Sequence, residues 1–247
     1  MIGRSNPLSD IPEVVKNLLI INVLMLLGTF VAYQMKFDLA NILGLHHWSS
    51  DLFKPYQLVT YMFMHGGLAH LFFNMFALWM FGKILEQVWG SKRFLIYYMV
   101  TGIGAALIQM IVTEIRIQSI IGDLDPQLYE MVMREGLSVL DQGKNFVDPT
   151  ARELNNLINT STVGASGAVF GILLAFGMLF PNAQLMLLIP PIPIKAKYLV
   201  AIYGALELYL GLSNNPADNV AHFAHLGGML FGFIMIKMWK SNTTNYF

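Results

Sequence analysis

The sequence contains no cysteine and carries little charge. None of its 247 residues is Cys, and only 12% are Asp, Glu, Lys or Arg, about half the usual share in a soluble domain. The chain therefore has no disulfide, no thiolate zinc site and no cysteine nucleophile. Acidic and basic residues balance at a net charge of zero, so no excess of basic residues points to a nucleic-acid partner. Apolar residues make up 55% of the chain, which is typical of a membrane protein.

Three further absences narrow the function. No His-Glu-x-x-His sequence occurs, which argues against a zinc metallopeptidase. The apolar runs contain no aspartate, whereas an aspartyl protease acting within the membrane would need two. The N-terminus has no short apolar stretch that ends in a small-residue cleavage site, so we expect no cleaved signal peptide. The first apolar run would then serve as the insertion signal.

Six apolar runs dominate the sequence, and a helix that spans a bilayer needs about 20 mostly apolar residues. The sequence therefore predicts an all-α membrane protein with a single membrane domain of six spanning helices. The expected spans lie at about residues 17–35, 68–89, 94–113, 163–180, 198–212 and 219–237. Because six is even, both termini lie on the same side of the membrane.

The distribution of Lys and Arg predicts which side that is, because cytoplasmic segments carry an excess of basic residues. If the termini are cytoplasmic, the short outer loops contain only Lys36 and Lys54. The inner segments then contain nine basic residues, which are Arg4, Lys16, Lys83, Lys92, Arg93, Lys195, Lys197, Lys237 and Lys240. We therefore expect both termini to be cytoplasmic.

Three connecting segments have distinct compositions. The outer loop 37–67 is rich in aromatic residues and poor in charge, which predicts that it lies at the bilayer interface. The segment 114–160 has a net charge of −4 and two stretches with helical spacing of apolar residues, 126–140 and 151–158. We interpret it as an insertion of two amphipathic helices outside the membrane. Two interpretations of its role stay open: it affects access to a functional site elsewhere in the chain, or it is tolerated without a role. The inner segment 189–194 contains three prolines and predicts a stiff turn.

A serine stands at the head of the fourth apolar run, in the sequence Gly164-Ala165-Ser166-Gly167. Small residues at such a position are equally typical of a helix-packing face. They would also let another backbone approach and leave the hydroxyl open. A hydroxyl is a poor nucleophile unless a base removes its proton, so a catalytic interpretation of Ser166 requires a histidine.

The sixth apolar run contains such a histidine. His225 follows Ser166 by 59 residues, and an ionisable residue inside a membrane is a functional hypothesis by default. Gly228 and Gly232 share a helical face with His225 and predict close packing on a neighbouring helix. If that neighbour is the fourth span, His225 faces the serine.

The second apolar run begins with His65, His70 and Asn74, of which the last two lie four residues apart on one helical face. An imidazole and a carboxamide could stabilise the oxyanion that forms when a peptide carbonyl is attacked. Two alternatives are hydrogen bonds between helices and a metal site formed by the histidines. In the predicted topology all these groups lie in the outer half of the membrane, together with Ser166 and His225.

This constellation resembles the rhomboid family of intramembrane serine proteases over nearly the whole chain. The order and spacing of His65-x4-His70-x3-Asn74, Glu86, Gly164-Ala165-Ser166-Gly167 and His225-Leu-Gly-Gly228-x3-Gly232 match the family's pattern. The resemblance implies that Ser166 is the nucleophile and His225 the general base, in a dyad without aspartate. It also implies an oxyanion hole formed by His70, Asn74 and the backbone N–H of Ser166, with Gly164 in a supporting role.

The resemblance further implies structural roles for several residues. Glu86 would form hydrogen bonds near the inner side of the membrane, and the remaining positions are His65, Gly167, Phe170, Gly228 and Gly232. Two positions depart from the family pattern. Phe170 replaces a tyrosine that lies against the histidine ring, so stacking is kept but a hydroxyl contact is not. Trp48 is followed by Ser49 instead of arginine, so the outer loop lacks that anchor.

The function implied by the resemblance is an endopeptidase that cleaves transmembrane or membrane-anchored proteins near the outer face of the bilayer. It would require no cofactor and no metal. The first alternative is a non-catalytic rhomboid-like protein that binds membrane helices without cutting them. The second is a metal or proton transporter, which would need polar residues that reach the inner side, and Glu86 and Glu207 are nearly the only ones.

Overall fold

The structure, a computed structural model, describes residues 11–186, 191–213 and 220–243, with side chains as far as residue 239. Within these ranges the chain is mostly helical. The α-helices are α1 (Glu13–Gln34), α2 (Leu39–Leu43), α3 (Gln57–Thr60), α4 (Leu68–Ala77), α5 (Lys83–Trp89), α6 (Ser91–Asp123), α7 (Pro126–Asp141), α8 (Pro149–Asn159), α9 (Ser166–Leu179), α10 (Ala196–Ser213) and α11 (His222–Thr243). A 3₁₀ turn at Tyr61–Phe63 follows α3, and a π-helical turn at Leu78–Gly82 joins α4 to α5.

Three of the described helices are long and apolar enough to cross a membrane. They are α1, the continuous helix Leu68–Trp89 and α6. The helix α9 is also apolar but has only 14 residues. The fold is therefore that of a mostly α-helical membrane protein.

Several helix bounds differ from the expected spans. The expected third span ends at 113, but α6 continues to Asp123. The last turns of this helix contain charged residues, so they need not lie in a bilayer. The helix α9 begins at Ser166 instead of 163, since Gly164 has a φ of +135° that no helical residue adopts. The expected start of the sixth span at 219 lies outside the described residues, as does Arg4.

A short two-stranded sheet adds to the expected all-α class. β1 (Gln184–Met186) pairs with β2 (Pro193–Lys195) in antiparallel register, with Gln184 opposite Lys195. Residues 187–190, which include the start of the expected proline turn, lie outside the described residues. The ladder brings the end of α9 next to the start of α10.

The helix α9 lies at the centre of the bundle, packed against α6 and α11. Small residues allow this close approach. A methyl group at Gly228 of α11 would clash with the carbonyl of Gly167, and one at Gly171 would clash with Thr101 of α6. The hydroxyl of Tyr97 donates a hydrogen bond of 2.8 Å to the carbonyl of Gly171. The helix α9, which begins with Ser166, is thus closely packed between α6 and α11.

Glu86 connects α5 to the start of α1. Its carboxylate accepts hydrogen bonds from the backbone N–H groups of Val14 and Val15 at 3.0 and 2.8 Å, and from the Ser91 hydroxyl at 2.7 Å. The first N–H groups of a helix lack partners within the helix, and a negative charge favours that end of the helix dipole. A buried glutamate therefore caps α1.

The outer loop 37–67 is ordered by its own hydrogen bonds. The buried amide of Gln57 accepts from the backbone N–H groups of His46 and Lys54 and donates to the carbonyls of Ile42 and Leu52, all within 2.9–3.2 Å. One glutamine thus satisfies four backbone groups of a loop that contains little regular structure.

The same loop is joined to the segment before the serine. Leu45 and Thr162 exchange two backbone hydrogen bonds of 2.9 and 2.8 Å. Closer to the serine, the N–H of Gly164 donates to the carbonyl of Tyr61 at 3.0 Å. The entry of the chain into α9 is therefore fixed by the outer loop.

The insertion contains two helices, α7 and α8. Each begins with an Asp-Pro pair, in which Asp125 or Asp148 caps the backbone N–H groups and proline occupies the first turn, where it costs no hydrogen bond. The two helices pack with the end of α6 around a small apolar cluster of Ile117, Val132, Ala151, Leu154 and Ile158. The segment is folded around its own core.

Candidate active site

Ser166 and His225 form a hydrogen bond. Ser166 is the first residue of α9 and His225 lies in the first turn of α11. The Ser166 Oγ lies 2.8 Å from Nε2 of His225, although the two residues are 59 positions apart. Gly228, three residues after His225 on α11, approaches the backbone of Gly167, the residue after Ser166 on α9, and this close packing sets the distance. A hydroxyl in this contact can pass its proton to the imidazole.

The ring of His225 is also held by an aromatic neighbour. Phe170, four residues after the serine, stacks on the imidazole with 4.2 Å between ring centroids and 5° between ring planes. One turn of α9 therefore presents both the hydroxyl and the aromatic face. The stacking expected for a phenylalanine at this position is present.

His70 and Gly164 lie beside the serine. A methyl group at Gly164 would stand 2.8 Å from Nε2 of His70 and 3.5 Å from the Ser166 Oγ, which brings these three residues to one point. The absence of a side chain at Gly164 leaves this space open. His65 packs edge-on against the His70 ring, with centroids 5.1 Å apart.

Asn74 contributes an unused donor. It lies one helical turn after His70 on α4, is buried, and its Nδ2 group has no hydrogen-bond partner in the structure. A buried polar group without a partner costs about 1–3 kcal/mol. Such a group is expected where a ligand supplies the missing partner.

The structure adds two residues to the site that sequence reasoning missed. The carboxylate Oε2 of Glu207, on α10, lies 2.8 Å from Nδ1 of His225 and 2.6 Å from Nδ1 of His222. All three side chains are buried. The available signals were the i, i+3 spacing of the two histidines on one helical face and an acid within an apolar run.

These three residues also have the composition of a metal site. Within the described part of the chain, Glu207, His222 and His225 each offer one ligand atom, and these atoms lie within 4.8 Å of one another. Ligands of one tetrahedral zinc ion, bound at about 2.0–2.2 Å, stand roughly 3.3 Å apart. The Nδ1–Oε2 distances of 2.6 and 2.8 Å are shorter and fit direct contacts between the side chains. The geometry favours a proton-bearing cluster.

The outer loop is anchored to α6 near the site. Trp48 Nε1 donates to Oε2 of Glu114 at 3.0 Å, and Nε2 of His47 lies 3.2 Å from the same oxygen. Burial lowers the pKa of His47 below its usual value, and the negative charge of Glu114 partly opposes this shift. Glu114 therefore anchors the loop through Trp48, next to Ser49, where the family pattern has an arginine.

The fold and the site define a class: a helical membrane protein with a partly buried serine–histidine pair. The family model of the rhomboid domain matches residues 53–122 and 136–241, which is most of the chain. The protein therefore belongs to the rhomboid family, and it is an integral membrane protein. The gap between the two matched ranges, residues 123–135, lies within the insertion.

Curated relatives agree with this assignment at low identity. Rhomboid-like protein 11, chloroplastic, of Arabidopsis thaliana is 27% identical over 73% of this chain and 51% of its own length. Rhomboid protein 1, mitochondrial, of Saccharomyces cerevisiae is 26% identical over 72% of this chain and 40% of its own length. Rhomboid protease GluP of Bacillus subtilis is 28% identical over 49% of this chain and 25% of its own length. The chain thus spans about half of these relatives' length or less.

Proposed function

We propose that this protein is an intramembrane serine endopeptidase that cleaves transmembrane or membrane-anchored proteins. The observation that carries the proposal is the 2.8 Å contact between the Ser166 hydroxyl and Nε2 of His225, at the head of a buried apolar helix. The unpartnered Nδ2 of Asn74 supports it, because hydrolysis of a peptide requires a donor for the oxyanion. A relative named as a rhomboid protease supports the same reaction type.

The reaction begins at the serine. As Oγ attacks the carbonyl carbon of the scissile peptide, its proton moves to Nε2 of His225 and the π electrons of the carbonyl move to its oxygen. The Nδ2 group of Asn74, the His70 ring and the backbone N–H of Ser166 donate to this oxyanion. When the oxyanion collapses, the C–N bond breaks and the His225 imidazolium gives its proton to the leaving amine.

A water molecule then completes the cycle. It gives a proton to His225 as its oxygen attacks the acyl-enzyme carbonyl, and collapse of the second oxyanion returns the proton to Ser166 Oγ. The products are a carboxylic acid and an amine. The groups named on this chain are sufficient for each proton transfer, and the reaction consumes only water.

The proposed topology has six spans with both termini in the cytoplasm. Ser166, His225 and His70 lie near the start of helices that run from outside to inside, so the active site faces the outer half of the membrane. A substrate helix would unwind there, where water can enter. The proposed location is the cytoplasmic membrane of a bacterium. The outer loop and the insertion both flank this entrance.

Purified protein tests the proposal directly. In detergent it should cut a model single-span protein, and a fluorophosphonate should label Ser166 covalently. Ser166→Ala should abolish both activities, and His225→Ala should reduce both to background. A nucleophile and its base act as a unit, so the double variant should be no worse than either single variant. Cleavage by Ser166→Ala would refute the proposal. Labelling without cleavage of any membrane protein would favour the helix-binding alternative.

A further inference from the structure

The carboxylate of Glu207 lies on the side of His225 that the reaction above leaves unused. One ring nitrogen of His225, Nε2, contacts the Ser166 hydroxyl, and the other, Nδ1, lies 2.8 Å from Glu207 Oε2. The imidazole is thus held between a hydroxyl and a carboxylate. The three side chains come from three different helices, α9, α11 and α10.

This position is costly for a carboxylate. Glu207 is only 9% exposed, and a buried charge is expensive unless it is paired. Its one contacting oxygen is shared by two imidazoles, those of His222 and His225. The other buried glutamate among the described residues, Glu86, has a complete structural explanation as the cap of α1. Within the described residues Glu207 caps no helix, and its carboxylate instead contacts two histidines of α11.

We propose that Glu207 is a positioning residue for this reaction and forms, with Ser166 and His225, a serine–histidine–glutamate triad. The inference rests on the proposed function. The carboxylate keeps the proton of the neutral imidazole on Nδ1, so that the lone pair of Nε2 faces the Ser166 hydroxyl. When Nε2 accepts the serine proton, the positive charge of the imidazolium forms beside the negative charge of Glu207. The Nδ1 proton stays on the ring throughout, and Glu207 is not protonated in the step.

His222 has a supporting place in this arrangement. Its Nδ1 contacts the same Oε2 at 2.6 Å, which fixes the carboxylate in a membrane interior that offers few other donors. His222 lies three residues before His225 on α11. It orients Glu207, and through Glu207 it orients His225.

Oε2 of Glu207 and Nδ1 of His225 are close, but they are not aligned for a hydrogen bond. The distance is 2.8 Å, yet Nδ1 of His225 makes no hydrogen bond of good geometry in this structure. The parallel ring of Phe170 holds the plane of the imidazole without help from Glu207. Removal of the carboxylate should therefore lower kcat by less than the ~10⁴-fold typical of a triad in a soluble protease.

The variant Glu207→Gln tests the triad, with Glu86→Gln as the matched control of a buried membrane glutamate distant from the serine. Glu207→Gln should lower kcat and the rate of fluorophosphonate labelling by about 10²-fold. The KM for a single-span substrate should stay within about twofold, since no substrate contact is lost. Glu86→Gln should lower the melting temperature and leave both rates per folded molecule unchanged. Equal rates for Glu207→Gln and wild type would refute the triad.

Nitrogen NMR of the folded wild-type protein gives a second readout that needs no variant to fold. With the His225 ring labelled by ¹⁵N, the neutral imidazole should carry its proton on Nδ1, and Glu207→Gln should lose this preference. A wild-type proton on Nε2 would refute the triad even if Glu207→Gln does not fold. If wild type neither cleaves nor labels, the proposed function fails instead, and the NMR result still reports whether Glu207 orients His225.

Discussion

The phenyl ring of Phe170 lies flat against the imidazole of His225. Their centroids are 4.2 Å apart and their planes differ by 5°, so the aromatic face covers one side of the imidazole. Phe170 and Ser166 lie one turn apart on α9, which means that a single helix supplies the hydroxyl and the surface that orients its base. The orientation of His225 depends on α9 as much as on its own helix.

Removing this ring should slow the chemistry more than it weakens substrate binding. In Phe170→Ala, His225 can tilt away from the Ser166 Oγ, so we expect kcat to fall by about tenfold or more, in line with the cost of misplacing a reacting group. Phe170→Tyr keeps the stacked ring and should retain wild-type kcat within about threefold. Steady-state cleavage and labelling rates measure both variants. A Phe170→Ala variant with normal kcat would show that stacking does not orient the base.

Asn74→Ala should lower kcat by about 10²-fold with little change in KM, as expected when one oxyanion donor is lost. The variant should also be no less stable than wild type, because the Nδ2 group has no partner to lose. His70→Ala should lower kcat by a similar factor. Kinetics and thermal melting of the same samples check both expectations. An effect on KM alone would assign Asn74 to substrate positioning.

Gly228→Ala should destabilise the protein. The added methyl group would meet the backbone of Gly167, and backbone cannot yield as a side chain does. Overpacking of this kind costs about 1–3 kcal/mol, and separation of α11 from α9 would also lengthen the contact between Ser166 and His225. Gly28→Ala on α1 is the control, since a methyl group there meets nothing within 4 Å. Equal melting temperatures for the two variants would contradict this packing.

Acidification should destabilise the outer loop. Burial lowers the pKa of both His46 and His47 below the usual value of 6.5. The unfolded chain therefore binds more protons in this range, and stability is lost as the pH falls through 6.5 toward the folded values. The melting temperature should be constant above pH 7.5 and decline below about 6.5. His47→Gln should flatten this decline, and an unchanged slope would place the titration elsewhere.

Replacing 122–156 by a short Gly/Ser linker should separate the insertion from the chemistry. If the insertion controls access, cleavage of membrane-spanning substrates should change several-fold, while labelling of Ser166 and cleavage of a small soluble peptide stay constant. The contact of the remaining Asn159 with Ser50 at 3.0 Å should keep the outer loop in place. Unchanged rates on every substrate would mean that the insertion has no role in access. Loss of labelling would mean that it supports the serine helix.

Local sequence patterns predicted helices well where a single segment carries the information. The expected positions of the two insertion helices, 126–140 and 151–158, agree with α7 and α8, because apolar spacing and Asp-Pro starts are local. Hydropathy predicted the apolar part of α6 but not the length of the helix, since a helix can continue after its sequence becomes charged.

The contact of Glu207 with His225 could not be predicted in the same way. It depends on the rotation of α10 about its axis and on the packing of α10 against α11. Neither can be predicted from the spacing of residues along the sequence. Within the sequence Glu207 was simply an acid in an apolar run. The anchoring of Trp48 by Glu114 was hidden for the same reason, because 66 residues separate the two partners.

The pairing of Leu45 with Thr162 consists only of backbone groups. Side-chain identity therefore has little influence on it, and relatives can keep this connection with quite different residues at both positions. Alanine scanning would pass over it for the same reason. Only a residue without a backbone N–H removes a bond of this pair: proline at 45 or at 162 would each delete one of the two hydrogen bonds, and proline at both would uncouple the outer loop from the approach to the serine.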